Sequence, residues 1–137
     1  MSVETVSDVP KRVLFVCVEN SNRSQMAEAF ARMHAPVGVE GHSAGSRPSG
    51  KVNPRAIEFM AERGYDLTTH RSKSTEEFHD QAVAVAVTMG CGDECPLVNA
   101  ARGEEWQIPD PKNLSAEDYR RIRDLIETKV KKLLASL

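Results

Sequence analysis

Cys17 ends the apolar stretch Val13-Leu14-Phe15-Val16 and opens the run Cys17-Val18-Glu19-Asn20-Ser21-Asn22-Arg23-Ser24. The order reads as buried strand, tight loop and helix N-terminus. Ser24 to Met33 follows as an amphipathic helix, with Met26, Phe30 and Met33 on one stripe. A loop between such a strand and helix points its N–H groups and the positive end of the helix dipole into one concavity. Arg23 lies six residues after Cys17 and offers a planar fork to two oxygens of an anion. The same field favours thiolate over thiol at Cys17, and the thiolate is the nucleophile. The pattern implies an activated sulfur that attacks the central atom of a bound, phosphate-like oxyanion. A cysteine ending a strand is often only a small buried hydrophobe. The strand before Cys17 and the helix after it weigh against that plainer reading.

The rest of the chain alternates strands and helices. Val37 to Gly45 reads as a second, glycine-broken strand. Asn53 and Pro54 read as the N-cap and first position of a helix that turns Ile57, Met60 and Ala61 inward and stops at Gly64. Thr75 to Phe78 fits a short helical turn. Ala82 to Met89 is a continuous apolar run, as expected for a central parallel strand. Trp106-Gln107-Ile108 reads as a short fourth strand. Ser115 caps a last helix whose stripe is Tyr119, Ile122, Ile126, Val130, Leu133 and Leu137. This alternation predicts an α/β fold with a parallel sheet covered on both faces. Right-handed crossovers then place the Cys17 loop at the carboxyl edge of the sheet, where such folds bind ligands.

Length and charge narrow the function. A chain of 137 residues suits a single domain, 1–137, with a real core and no need of disulfide staples. Met1 to Pro10 has no apolar signal-peptide core and reads as a loose arm. A net charge of −2 without a basic block speaks against nucleic acid, and no run is long enough for a membrane span. Three cysteines cannot all pair internally. That points to a reducing, cytoplasmic setting with reactive thiols.

Cys91 and Cys95 follow the central strand, at the sheet edge that carries the Cys17 loop. Gly90 and Gly92 flank Cys91 and leave its backbone permissive. A disulfide needs Cα atoms within roughly 4.4–6.8 Å, which residues four apart reach on one turn or in a bent loop. The pair can close on itself, or Cys91 can reach Cys17. Half a zinc site, or two idle thiols, are the competing readings. His34, His42, His70 and His79 occur singly and read as surface or hydrogen-bonding residues. Asp110-Pro111, on a proline-stiffened loop near the anion site, offers a carboxyl that can donate a proton to a leaving oxygen. An Asp-Pro pair is also a common turn.

Taken together, these segments resemble the low-molecular-weight protein tyrosine phosphatase family, and within it the cytosolic arsenate reductases that use three cysteines. The resemblance runs from about Lys11 through nearly the whole chain. It rests on Val16-Cys17 through Arg23-Ser24-Gln25-Met26-Ala27-Glu28, Ser43-Ala44-Gly45, Asn53-Pro54 with Ala56 and Met60, Cys91 and Cys95, and Trp106 with Asp110-Pro111. It implies a three-layer α/β/α fold around a four-stranded parallel sheet. It implies Cys17 as nucleophile, Val18 to Arg23 as the oxyanion loop, Ser24 as hydroxyl donor to the thiolate and Asp110 as general acid. Asn20 would hold the loop through its amide. Cys91 and Cys95 would carry oxidation away from Cys17, with no tightly bound cofactor and an external dithiol, thioredoxin, as reductant. Arsenate would be the substrate, phosphate or sulfate competing anions, and the enzyme a monomer.

A phosphatase needs only Cys17, Arg23 and Asp110 and stands as the alternative. Phosphatases of this fold tend to carry tyrosines after the Asp-Pro, where this chain has Lys112 and Asn113. Two further departures bear on the reading. Asn22 stands where many relatives have another cysteine, and the Cys91–Cys95 segment is shorter than in thioredoxin-linked members, which leaves glutaredoxin or another thiol as competing reductants. Some relatives also hold a potassium ion behind the loop, on ligands that match Asn20, Glu28 and Ser43. Lys73 stands near the last ligand position, and its ammonium is expected to replace the ion.

Overall fold

The computed structural model describes residues 10–90 and 100–137. Cys91, Cys95 and residues 1–9 of the expected arm lie outside the described residues. Strand β1 (Lys11–Cys17) leads into helix α1 (Arg23–His34), then β2 (Val39–Gly45) and α2 (Pro54–Ala61). Strands β3 (Val83–Thr88) and β4 (Ala100–Glu105) precede the long helix α3 (Ala116–Ala135). Two 3-10 turns, Leu67–Thr69 and Thr75–Phe78, lie between α2 and β3. The four strands form one parallel sheet in the order β2-β1-β3-β4.

Alternation along β1 divides the core. Val13, Phe15 and Cys17 join Val85 and Val87 under α1, α2 and α3, in a cluster that includes Met26, Phe30, Phe59, Met60, Tyr119 and Ile126. Leu14 and Val16 face the other way, with Ala44, Val83 and Ala86 under Phe78 of the second 3-10 turn. β1 is therefore buried on both faces, as its unbroken apolar run requires. Pairing of Cys17 with Gly45 brings the ends of β1 and β2 together, and Met89, just past β3, donates its N–H to Val16 O. The carboxyl ends of β1, β2 and β3 thus share one edge. No helix is long and apolar enough to cross a membrane among the described residues.

Four expectations need correction. The fourth strand is Ala100–Glu105, not Trp106–Ile108. As an edge strand it leaves Ala101, Arg102, Gly103 and Glu105 exposed, so it carries no apolar signal. Trp106 adds one bond to Thr88 O and then turns its ring into the core. On α1, Met33 is exposed, and the buried face is Met26, Ala27, Phe30 and Ala31. On α2, Ala56, Phe59 and Met60 are buried, whereas Ile57 is half-buried and Ala61 exposed. β2 begins at Val39, with Val37 fully exposed before it.

Candidate active site

The loop between β1 and α1 wraps one wall of a cavity of about 290 Å³ at the carboxyl edge of the sheet. Cys17, Val18, Glu19, Ser21, Asn22 and Arg23 line it, and Asp110 and Lys112 reach it from the loop before α3. Arg47, from the segment after β2, adds a third cation to the rim beside Arg23 and Lys112. No aromatic side chain is among the described residues that line it. Gly45 lets the loop close on β2, because a Cβ there would stand 2.4 Å from Val18 O.

Asn20 fixes the loop from inside. It is fully buried and takes φ +52°, a left-handed conformation that Asn tolerates better than most residues. The Lys73 backbone N–H donates to its Oδ1 at 2.8 Å, so Nδ2 must face Ser24 Oγ, also at 2.8 Å. Ser24 Oγ therefore accepts from Asn20 and lies 2.8 Å from Cys17 Sγ, where its own proton is available to a Cys17 thiolate.

Asn22 sits at the N-cap of α1 without capping it through its side chain. Its Oδ1 instead accepts from the buried Tyr119 hydroxyl at 2.6 Å. The first N–H groups of α1 are thereby left to an anion in the cavity. Burial pushes the Tyr119 hydroxyl well above the ordinary tyrosine range, which keeps it a donor. Arg23 Nη1 donates to Ile108 O at 2.8 Å, and Gly90 packs against both. Asp110 is exposed, and its Oδ1 accepts the Lys112 N–H at 3.0 Å.

A charged cluster lies behind the loop. Burial pushes the Glu28 carboxyl up, but Lys73, His70, Ser43 and Arg32 together hold it below the usual range. Glu28 Oε1 accepts from Ser43 Oγ at 2.5 Å and Lys73 Nζ at 3.1 Å, while Arg32 Nη2 lies 2.8 Å from Oε2. The expected set Asn20, Glu28, Ser43 and Lys73 is therefore assembled in one place. Lys73 is buried, not a solvated loop lysine.

Several contributors are not legible in the sequence. Gln25 donates to Asn20 Oδ1 at 2.9 Å, and His70 Nδ1 lies 2.9 Å from Gln25 Oε1. His70 Nε2 meets the Tyr65 hydroxyl at 2.6 Å. Burial above all lowers the His70 pKa, and the ring links Tyr65 through Gln25 to the anion loop. A lone histidine and a tyrosine five residues before it carry no pattern that reveals such a link. Among the described residues no group of three or more His, Cys, Asp or Glu side chains could hold a metal ion.

The family model for low molecular weight phosphotyrosine protein phosphatase matches residues 12–137. A glutaredoxin arsenate reductase from Synechocystis is 36% identical over 130 residues, covering 93% of this chain and 98% of its own length. A solved arsenate reductase in a phosphate binding state superposes with a TM-score of 0.83 at 36% identity, over 92% of this chain and 98% of that one. The thioredoxin-dependent arsenate reductase of Corynebacterium glutamicum superposes with a TM-score of 0.76 at 29% identity, over 96% of this chain and 63% of that one. With the Cys17 loop, Arg23 and the parallel sheet all in place, the chain belongs to the low molecular weight phosphotyrosine protein phosphatase family.

Proposed function

We propose that this protein is an arsenate reductase that forms a thiol–arsenate adduct at Cys17. One observation carries the reading: Ser24 Oγ lies 2.8 Å from Cys17 Sγ at a small cationic cavity with no aromatic residue among its described lining. Such a cavity suits a small tetrahedral dianion better than an aryl ester. Arsenate rests on the loop N–H groups, the α1 N-terminus and Arg23. The Cys17 thiolate attacks arsenic, and Asp110 gives a proton to the departing oxygen, which leaves as water. Cys91 then attacks the Cys17 sulfur. The S–As electron pair stays with arsenic, As(V) becomes As(III), and arsenite departs from a Cys17–Cys91 disulfide. Cys95 attacks the Cys91 sulfur, releases Cys17 and leaves Cys91–Cys95 for an external dithiol to reduce.

Thioredoxin is the reductant in this scheme, and the thioredoxin-dependent relative from Corynebacterium supports it. The Synechocystis glutaredoxin arsenate reductase supports the competing route. The enzyme acts as a cytoplasmic monomer without a tightly bound cofactor. The Lys73 ammonium takes the place of a potassium ion beside Glu28, a role its burial and its 3.1 Å contact support. Phosphomonoester hydrolysis through a phospho-Cys17 intermediate is the second reading, because Cys17, Arg23 and Asp110 suffice for it and share the cavity.

Arsenate-dependent NADPH oxidation tests the scheme. Thioredoxin with its reductase is expected to support turnover better than glutaredoxin with glutathione and its reductase. The reverse order would replace the reductant. No oxidation with either system would remove the reductase reading.

A further inference from the structure

Asp110 has no helix or strand to hold it. It lies on the exposed connection between β4 and α3, yet a general acid must stay within hydrogen-bond reach of the departing oxygen. We propose that Arg55 is the positioning residue for Asp110, and that it straps the acid loop to the anion loop. The proposal rests on the catalytic role given to Asp110 above.

The strap is a continuous path of contacts. Asn53 donates its N–H to Ser21 O in the anion loop at 2.9 Å, which anchors the start of α2 there. Asn53 Oδ1 accepts the Arg55 N–H at 2.9 Å and fixes the first turn of the helix. Arg55 Nη1 then reaches across to Lys112 O at 3.1 Å, with Pro111 O at 3.5 Å. The N–H of that same Lys112 donates to Asp110 Oδ1 at 3.0 Å. Arg55 thus holds the residue that holds the carboxylate.

A second path meets the first at the guanidinium. Its carbon lies 4.8 Å from the Tyr119 ring centroid and 5.6 Å from that of Phe59, whose rings stack with centroids 4.6 Å apart. The hydroxyl of that Tyr119 donates to Asn22 in the anion loop. The aromatic pair fixes where the guanidinium sits, and its Nη1 alone meets two consecutive carbonyls of the acid loop. Lysine has the charge but not the planar face that rests on the two rings. A displacement of about 1 Å at a catalytic group can cost a hundredfold in rate, so a tether of this kind matters to chemistry more than to stability.

The test is a double-mutant cycle on single-turnover arsenite release by the reduced protein. Arg55→Gln is expected to lower the rate at saturating arsenate by about tenfold and to leave half-saturation little changed. In an Asp110→Asn background the same change is expected to cost nothing more, because Arg55 acts through Asp110. Equal losses in both backgrounds would overturn the proposal. Arg55→Lys, which keeps the charge over Tyr119, should fall between wild type and Arg55→Gln and serves if the Gln variant folds poorly. Amide exchange at Lys112, read by NMR, is the arm that needs no activity. Exchange several-fold faster in Arg55→Gln supports the strap, and unchanged exchange overturns it. Wild-type protein that reduces no arsenate, with Lys112 exchange still dependent on Arg55, would remove the proposed function and keep the tether.

Discussion

The Lys73 backbone N–H donates to Asn20 Oδ1 over 2.8 Å, and this bond sets the polarity of the whole site. A backbone N–H can only donate, so the orientation of the Asn20 amide is not free. Ser24 Oγ accepts from it and keeps its proton available to a Cys17 thiolate. Ser24→Ala removes that donor. Alkylation of Cys17 by iodoacetamide at neutral pH is expected to slow by about threefold to tenfold, since a hydrogen bond to a charged group is worth about 1.5–3 kcal/mol and a more basic thiolate recovers part of the loss. Sulfate should still protect Cys17, because the cradle remains. An unchanged alkylation rate in Ser24→Ala would place the serine proton elsewhere.

Glu28 makes stability depend on acid. Its folded-state pKa lies below the usual value, despite burial, because Lys73, His70, Ser43 and Arg32 favour the carboxylate. Such a group stabilises the fold above its unfolded pKa and loses that contribution as pH falls through its folded pKa. Melting temperature should therefore drop as pH is lowered below about 4.5. Glu28→Gln should melt well below wild type at pH 7, and the gap should narrow in acid. A gap that stays constant from pH 7 to pH 3 would show that the charge of Glu28 is not what the cluster uses.

Lys73 supplies the buried positive charge in that cluster. Exchange of sodium for potassium at constant ionic strength should leave activity and melting temperature unchanged. Lys73→Asp should lower stability by several kcal/mol in sodium, because it leaves like charges together in a buried place. Potassium should restore part of the loss. Wild-type protein that potassium specifically stabilises and activates would rule out the ammonium as the resident cation.

Gly90 offers a separate handle on Arg23. It adopts φ +84°, and a Cβ there would stand 2.6 Å from Arg23 Nη1 and 3.2 Å from Ile108 O. Gly90→Ala is expected to displace the guanidinium and to weaken sulfate protection of Cys17 by fivefold or more, at a stability cost of about 1 kcal/mol. Full protection by sulfate at the wild-type concentration would show that Arg23 does not need this space.

The sequence and the structure agree where chemistry is local. Val13 to Ser24 reads as strand, loop and helix because a buried run, a tight loop and an amphipathic stripe each leave a local mark. β4 leaves none, since an exposed edge strand made of Ala, Arg, Gly and Glu does not alternate. Met33 shows that a residue on the right helical spacing can lie beyond the end of the covering layer. The Tyr65–His70–Gln25 link and the Arg55 strap join residues far apart in the chain through single polar atoms, and no periodicity announces them. Lys73 beside Glu28 was reachable only through the family resemblance. Asp110 reads as a turn and as an acid alike, and the structure shows both the turn bond to Lys112 and a place on the cavity that holds Cys17.

The most direct test of the central claim is a count of products in a single turnover without external reductant. Fully reduced protein mixed with arsenate is predicted to release one arsenite per chain and to fall from three free thiols to one, with Cys91–Cys95 as the mapped disulfide. Cys95→Ser should still release one arsenite and trap Cys17–Cys91, and Cys17→Ser should release none. Wild-type protein that keeps all three thiols, releases no arsenite and instead hydrolyses a small aryl phosphate through Cys17 would contradict the account.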